Sequence, residues 1–323
     1  MQARSPDRTV TITPNLIPMA FSESPPTEYD SSTKNVLATS ESQSIDVPAR
    51  YAREIQARER LHDACPIDVY VAGVNPRYSW PNRLVAANKA TQSVVDSAET
   101  VIIDSVVTNP FYSNIAILET AHDLGAEYVI GKDWPPAVDP CDGRNGIHPV
   151  DALDHFMSEY VCHDCEADVI VPVYPPFDTQ KLQGLQKDWI TNYALGGMRD
   201  MGGAKQVAHI RTFRELVGYD VNVHGLGMGT SIDLISALRS SVKENPDQPL
   251  LDSLDISTPE TAVANNKIPT KHWHQQRVPL PTGTDSTTVR AGFSEAIARM
   301  LEYELTPQCD DEMFDTATIT TFG

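Results

Sequence analysis

Residues 250–259 read Leu250-Leu251-Asp252-Ser253-Leu254-Asp255-Ile256-Ser257-Thr258-Pro259, an apolar run with two acids that breaks at Ser-Thr-Pro. If this run is a β-strand, its alternation places Asp252 and Asp255 on opposite faces and puts Asp255 near the carboxyl end. A carboxylate at the end of a buried strand is costly unless it has a partner or a use. The alternative is a helix cap, in which Asp255 or Ser257 caps a helix that begins at Pro259. The surrounding chain decides between the two readings.

The same rhythm, a short apolar run followed by an amphipathic stretch, recurs along most of the chain. Eight runs predict strands, namely Ile67–Val74, Val101–Asp104, Tyr128–Gly131, Val169–Val173, Tyr193–Leu195, Val221–His224, Leu251–Ile256 and Val278–Leu280. Helical patterns lie near residues 83–98, 113–124, 149–161, 180–191, 204–216, 230–243, 259–266 and 288–304. Alternating strands and helices predict a parallel sheet, and eight units over about 240 residues match the α/β class of the closed (β/α)8 TIM barrel. An open doubly wound sheet is the alternative, which is weakened because no glycine-rich dinucleotide fingerprint follows the first strand.

The composition changes at both ends of this repeating region. Residues 1–50 are rich in Ser, Thr and Pro without a sustained apolar period, which predicts a mostly disordered or loosely packed extension. Residues 51–305 form the predicted barrel domain, and residues 306–323 an acidic tail. No apolar run approaches the ~18 residues that a membrane span needs. We therefore expect a cytoplasmic protein without membrane contact.

The chain is strongly acidic, with 44 acidic and 25 basic residues among 323 and a net charge of −19. A nucleic-acid-binding protein normally has a basic surface. A protein built for high salt is an exception, because acidic side chains keep its surface hydrated and salt screens the attraction to phosphate. The acidity therefore predicts a halophilic host or its virus, and it leaves a nucleic-acid substrate open.

The five cysteines are an odd number, which favours a reducing cytosol over a disulfide framework. Cys162-His163-Asp164-Cys165 has the spacing of half a zinc site. A second pair at matching spacing is missing, so we interpret Cys162 and Cys165 as ordinary thiols and expect no metal.

In a TIM barrel the chemistry lies at the carboxyl ends of the strands. The residues that gather at the predicted strand ends are Asp104, Ser105, Phe111, Tyr112, Asp133, Gly196, Gly197, His224 and Asp255. Aromatic faces can sandwich a planar base, and glycines let the backbone approach it closely. A carboxylate can accept hydrogen bonds from a base edge, or attack a sugar carbon while a second carboxylate handles protons. The alternatives are glycines that merely form left-handed turns and a divalent-metal site of Asp104, Asp133 and Asp255, which would normally need more ligands.

These residues and their order resemble the tRNA-guanine transglycosylase family over about residues 67–305. Its members are (β/α)8 barrels that exchange guanine for a 7-deazaguanine through a covalent enzyme–ribosyl intermediate. Asp104-Ser105 is similar to the start of the family's Asp-Ser-Gly-Gly motif, whose Asp handles protons, but Val106-Val107 replaces the two glycines. Asp133 matches the Asp that reads the base.

Further along the chain, Gly196-Gly197 is similar to the family's Gly-Gly segment, whose backbone touches the base edge. His224 precedes a Gly-x-Gly like the family's, where the corresponding residue packs on the base. Asp255 occupies the place of the nucleophile. The resemblance also implies that Phe111 or Tyr112 stacks on the base.

The tRNA enzymes carry a zinc site, Cys-x-Cys-x-x-Cys…His, after the last strand, and this chain has only Cys309 there. Nor do residues remain for the RNA-binding domains that archaeal tRNA enzymes append. The resemblance is therefore closest to the zinc-free, DNA-acting (DpdA-type) branch. It implies DNA and a free 7-deazaguanine, in the 7-cyano form, as partners, with no metal or redox cofactor.

Three alternatives stay open at this point. The first is a tRNA-acting enzyme of the same family that works with a separate RNA-binding subunit. The second is a barrel that has lost catalysis and binds a base or a partner protein, which the Val106-Val107 replacement favours. The third is a metal-dependent lyase or hydrolase that uses the three aspartates as ligands. Phosphate contacts are expected from rim arginines such as Arg199, Arg211 or Arg277.

Overall fold

The structure is a computed structural model that describes residues 61–78, 80–106, 112–132, 149–177, 179–269, 277–279 and 287–307. All of these residues belong to one unit, Ile55–Gly323. The predicted extension of residues 1–50 and nearly all of the acidic tail lie outside the described residues.

Eight parallel strands close into a barrel in which each strand pairs with the next and the last pairs with the first. The strands are β1 (Asp68–Ala72), β2 (Asn82–Ala86), β3 (Thr100–Asp104), β4 (Tyr128–Ile130), β5 (Asp168–Val173), β6 (Asn192–Leu195), β7 (Asn222–Gly225) and β8 (Ser253–Ile256). The predicted TIM barrel is confirmed. The open doubly wound sheet is excluded because β1 and β8 are paired over four residues.

Two of the sequence assignments were wrong. The chain at β2 was predicted to be helical, as part of residues 83–98, but it lies between β1 and β3 as the second barrel strand. The predicted last strand, Val278–Leu280, is not in the barrel. It overlaps β10 (Arg277–Pro279), which pairs antiparallel with β9 (Lys267–Pro269) in a separate two-stranded sheet. Every later strand therefore stands one place further round the barrel than predicted, and Asp255 lies on the last strand.

Sequence analysis did not recognise β2 as a strand because Arg83 interrupts its apolar run. Arg83 is fully buried. Its Nη1 donates to the carbonyl of Tyr78 (3.1 Å), and its Nη2 donates to Oε1 of Glu260 (2.9 Å). The guanidinium also lies over the Tyr78 ring, 5.0 Å from the centroid. Burial lowers the pKa of Arg83, and the nearby Glu260 carboxylate opposes that shift.

Helices fill most of the connections between strands. They are α1 (Gln92–Val95), α2 (Asn114–Leu124), α3 (Pro149–Tyr160), α4 (Thr179–Gln183), α5 (Gly203–Val217), α6 (Ile232–Glu244), α7 (Thr258–Ala264) and α8 (Thr287–Leu305), with a short 3-10 helix at Ala87–Lys89. Local sequence fixes several ends. Ser113 caps α2 by accepting from the Ala116 N–H, and Gly125, at a φ of 67°, ends it. Within the described part of the chain, no helix combines the length and apolarity that a membrane crossing requires.

Apolar side chains form an outer core between strands and helices and an inner core within the barrel. The inner core consists of Tyr70, Leu84, Ile102, Ile130, Ile170 and Ala194, one from each of six strands. Because alternate strand residues point to opposite faces, the register of these six shows which other residues point inward. Asp255 pairs with Tyr70, and Asp104 lies two residues beyond Ile102. Both carboxylates therefore belong to inward-facing rows.

Candidate active site

Asp255 is an inward-facing residue near the carboxyl end of β8 and is 6% exposed. Ser257, the residue before α7, makes no side-chain capping hydrogen bond. The capping alternative thus fails for both residues. Asp252, just before β8, instead contacts the helical layer, where its Oδ2 accepts from Nη2 of Arg214 (2.5 Å). The two acids point in opposite directions, as the alternation predicted, and only Asp255 enters the barrel mouth.

Two groups, one on β7 and one in the loop after it, approach the same oxygen of Asp255. The Gly227 N–H donates to Oδ1 at 2.6 Å. Gly227 has a φ of 61°, a left-handed conformation that favours glycine and that aims this amide at the carboxylate. Nε2 of His224 lies 3.4 Å from the same Oδ1. No described residue donates to Oδ2, so this oxygen is the one that can react with a ligand.

His224 lies deeper in the barrel than Asp255, at the level of Ser253. It is 3% exposed, its Nδ1 is 2.8 Å from Oγ of Ser253, and its ring meets the Tyr70 ring edge to face at a centroid distance of 5.5 Å. The sequence interpretation had this ring stacking on a planar base. Its observed contacts are Tyr70, Ser253 and Asp255, which favour a role beneath the carboxylate.

Asp104 is the last residue of β3 and faces the interior at the same end of the barrel as Asp255. Two strands, β1 and β2, separate the two carboxylates around the wall. Ser105, the next residue, is buried. The structure thus brings Asp104 and Asp255 to one mouth from different sides, as predicted from the strand ends.

The chain after Asp104 departs from a glycine-rich loop. Val106 is buried in the outer core, in one cluster with Ile103, Ile117 and Leu118. A valine here fixes the start of the loop by packing between strand and helix, where a glycine would leave the backbone without an apolar contact. Val107 lies outside the described residues.

Gly196 and Gly197 follow β6 and lie against the Tyr174 ring. A Cβ added to Gly196 would stand 2.7 Å from Cε1 of that ring, and one on Gly197 would stand 2.8 Å from Cδ1. Gly197 also has a φ of 68°. The Gly196 N–H donates to the Val173 carbonyl. Because neither glycine has a side chain, the Tyr174 ring can pack directly on this backbone. Sequence analysis missed this tyrosine, although an aromatic residue at a strand end is a usable signal.

Gln206 of α5 is a second residue that sequence analysis missed. It is 1% exposed, and its Nε2 donates to the carbonyls of both Met198 and Met228 at 2.9 Å. Met198 follows the Gly196-Gly197 pair and Met228 follows Gly227. One buried amide therefore ties together the loops after β6 and β7. The signal was a polar residue on the buried face of an amphipathic helix.

Lys132 joins the loops on the β3–β4 side of the mouth. It is buried two residues after the end of β4, its N–H donates to Oδ1 of Asn114 (2.9 Å), and its Nζ donates to the Tyr112 carbonyl (3.1 Å). The Tyr112 hydroxyl lies 3.2 Å from Oγ1 of Thr120 on α2. Asp133 and Phe111 lie outside the described residues, so their predicted roles, like base stacking by Tyr112, stay predictions.

The cysteine pair shows no metal-site geometry. Cys162 is exposed, Cys165 is buried, and both are free thiols. Burial raises the pKa of Cys165. Within the described ranges, no group of three or more His, Cys, Asp or Glu residues could hold a metal ion.

Comparison with known proteins does not identify a family for this chain. No family model matches the chain, and no curated protein matches it. Among solved structures, it is similar to a proposed fructose-1,6-biphosphate aldolase from Coccidioides immitis, with 8% identity, a TM-score of 0.43, and coverage of 83% of this chain and 97% of that one. Similarity at this level carries no argument about activity.

Proposed function

We propose that this barrel is a base-exchanging transglycosylase that replaces guanine in DNA with a 7-deazaguanine base. The observation that carries the proposal is the environment of Asp255, an inward carboxylate whose Oδ1 is held by the Gly227 N–H while Oδ2 has no donor among the described residues. A carboxylate held by one oxygen is oriented for attack through the other. Asp104 supplies the second carboxylate at the same mouth.

The proposed reaction has two displacements at the same sugar carbon. In the first, Oδ2 of Asp255 attacks C1′, the C1′–N9 bond breaks, and the departing guanine takes a proton from Asp104. In the second, Asp104 recovers a proton from N9–H of the incoming base, and that nitrogen displaces the Asp255 ester. Atoms and charge balance over the cycle. Guanine loses its glycosidic bond and gains a proton, and the incoming base gains a glycosidic bond and loses a proton.

Base recognition is the part of the proposal that rests most on the family resemblance. In this scheme Asp133 and the Gly196-Gly197 backbone read the guanine-like edge, and Phe111 or Tyr112 stacks on its face. The target nucleotide must leave the double helix to reach a barrel mouth, which costs a few kcal/mol of unstacking. The charge of −19 opposes DNA binding at low salt, so assays belong at high salt.

Covalent trapping tests the proposal. The protein is incubated at high salt with guanine-containing DNA and 9-deazaguanine, then denatured and separated by size. We expect an adduct with wild-type protein and none with Asp255→Asn, which keeps the shape and the Gly227 contact but removes the nucleophile. Asp220→Asn, an exposed acid before β7, is the matched control and should behave as wild type.

The same experiment with tRNA separates the two branches of the family. An adduct that forms with tRNA and not with DNA would move the substrate to tRNA while preserving the mechanism. If neither nucleic acid gives an adduct, the transglycosylase proposal fails.

A further inference from the structure

One ring nitrogen of His224 is buried without a hydrogen bond. Within the described residues, Nε2 has no hydrogen-bond partner, yet it lies 3.4 Å from Oδ1 of Asp255. The other nitrogen, Nδ1, is within hydrogen-bond distance of Oγ of Ser253. A histidine that served only the core would have both nitrogens satisfied, because buried polar atoms are rarely left unpaired. The orphan atom therefore directs attention to its near neighbour, Oδ1 of Asp255.

The position of the ring proton follows from electrostatics. A neutral imidazole has one N–H donor and one bare acceptor nitrogen. A bare Nε2 would direct its lone pair at a carboxylate oxygen, which is repulsive, whereas Nε2–H is attracted to it. The proton therefore belongs on Nε2, and Nδ1 must accept from the Ser253 hydroxyl.

We infer that His224 is a positioning residue for Asp255, and that the Asp255 carboxylate holds the ring in the tautomer whose Nε2–H faces Oδ1, while the Ser253 hydroxyl donates to Nδ1. With the Gly227 N–H, this gives Oδ1 two donors and directs Oδ2 toward the mouth. The 3.4 Å separation exceeds a normal hydrogen bond, and such contacts often tighten only when substrate is bound. The consequence for attack rests on the proposed function, but the tautomer and the contact do not.

A polar cavity beneath the ring supports this arrangement. It has a volume of about 100 Å³ and lies at the amino ends of the strands, lined in part by Asp68, Tyr128, Asn192, Asn222, His224 and Ser253. A cavity of this size and polarity has room for water. Water there could donate to the Ser253 hydroxyl oxygen while the hydroxyl proton is directed to Nδ1.

The tautomer can be measured without any activity. Protein labelled with ¹⁵N-histidine is studied by NMR, and the His224 signals are identified by their loss in His224→Gln. We expect Nε2 to be protonated and Nδ1 to be an acceptor in the wild type. Ser253→Ala should leave the proton on Nε2 and shift the Nδ1 resonance, because Nδ1 loses its hydrogen bond, whereas Ser240→Ala, an exposed serine on α6, should change neither. A wild-type ring protonated on Nδ1 would overturn the inference, as would an Nδ1 resonance that Ser253→Ala leaves unchanged.

Adduct kinetics test the positioning role itself. His224→Phe keeps a ring and removes the donor, so the rate of adduct formation should fall about tenfold, as expected for a hydrogen bond to a charged group. His224→Gln can donate from its amide and should recover part of that rate, a rescue that a packing role would not give. Adducts at the wild-type rate with His224→Phe would refute the positioning role. Absence of adducts in every protein, with the expected tautomer, would refute the transglycosylase proposal and leave the Ser253–His224–Asp255 contact standing.

Discussion

The two sides of the barrel mouth are built differently. On the β7–β8 side (His224, Gly227, Ser253, Asp255) the carboxylate is held by a backbone amide and approached by a buried imidazole. On the β3–β4 side (Asp104, Ser105, Val106, Lys132) a valine packs into the outer core and a lysine ties neighbouring loops. The contacts on the β7–β8 side hold one oxygen of a buried carboxylate, whereas those on the β3–β4 side fix the position of its loops.

This difference teaches where the chemistry tolerates change. A nucleophile must be oriented to within a fraction of an ångström of its target, so its contacts are specific. A proton-handling group needs reach and a suitable environment, which different loop conformations can provide. Under the proposed function, we therefore expect the Val106-Val107 replacement to be tolerated on the β3–β4 side, whereas a comparable change at Gly227 should not be.

The largest effect that separates the two sides is expected from Asp104→Asn. Base exchange, followed as release of labelled guanine from DNA, should slow by about 10²- to 10⁴-fold, the range for loss of a general acid–base group. Asp123→Asn, an exposed acid on α2, is the control. Exchange at the wild-type rate with Asp104→Asn would assign proton handling to another residue and remove the β3–β4 side from the mechanism.

Gln206→Met should weaken the β7–β8 side by separating the loop after β7 from the loop after β6. The substitution leaves the carbonyls of Met198 and Met228 without their shared donor, so we expect the free energy of unfolding to fall by about 2 kcal/mol in urea denaturation. Gln186→Met removes an exposed side-chain bond of the same type, to the Leu216 carbonyl, and should cost less. Equal losses of unfolding free energy for Gln206→Met and Gln186→Met would contradict the role of Gln206 in joining the two loops.

A pair of glycine substitutions compares strain with steric clash. Gly227→Ala and Gly197→Ala both force alanine into a left-handed conformation, which costs roughly 1–2 kcal/mol. No atom lies within 4 Å of a Cβ at Gly227, whereas one at Gly197 would strike Tyr174. Thermal unfolding should therefore show the larger loss for Gly197→Ala, while adduct formation should be slowed more by Gly227→Ala. The reverse order of adduct rates would count against the Gly227 contact with Asp255.

The smallest effect is expected from the His62–Glu302 pair, which belongs to neither side of the mouth. Nδ1 of His62 lies 2.6 Å from Oε1 of buried Glu302. The hydrogen bond to Glu302 raises the pKa of His62, and burial raises the pKa of Glu302. Because the folded state holds the His62 proton more tightly, the contribution of His62 to stability is fully present below about pH 6.5 as long as Glu302 is ionised. It is then lost as the pH rises through the raised pKa.

His62→Gln should accordingly lower the unfolding free energy by about 1 kcal/mol at pH 6 and less at pH 8.5. Thermal scans across this range measure the difference, and adduct formation should not change. If His62→Gln lowered the unfolding free energy more at pH 8.5 than at pH 6, the predicted pH dependence of this pair would be wrong.

Much of the fold could be predicted from the sequence because most strands form short apolar runs that an amphipathic stretch follows. The strand at Asn82–Ala86 was hidden by Arg83, whose burial depends on Glu260, 177 residues away in sequence. Alternation alone predicted that Asp252 and Asp255 point to opposite faces, and the barrel register then shows that Asp255 is the inward one. Its partner atoms could not be predicted, because the Gly227 N–H and Nε2 of His224 reach it only once β7 and β8 are paired. The role of Gly196-Gly197 in admitting Tyr174 likewise depends on the pairing of β5 with β6.

The most direct test of the account is to locate the covalent bond. Trapped protein–DNA complex is digested with nuclease and protease, and the peptides are analysed by mass spectrometry for a residual deoxyribosyl group. The account predicts that this group is attached to Asp255. A deoxyribosyl group on Asp104 or on any other residue would contradict it, since the nucleophile would then lie outside the site formed by Gly227, His224 and Asp255.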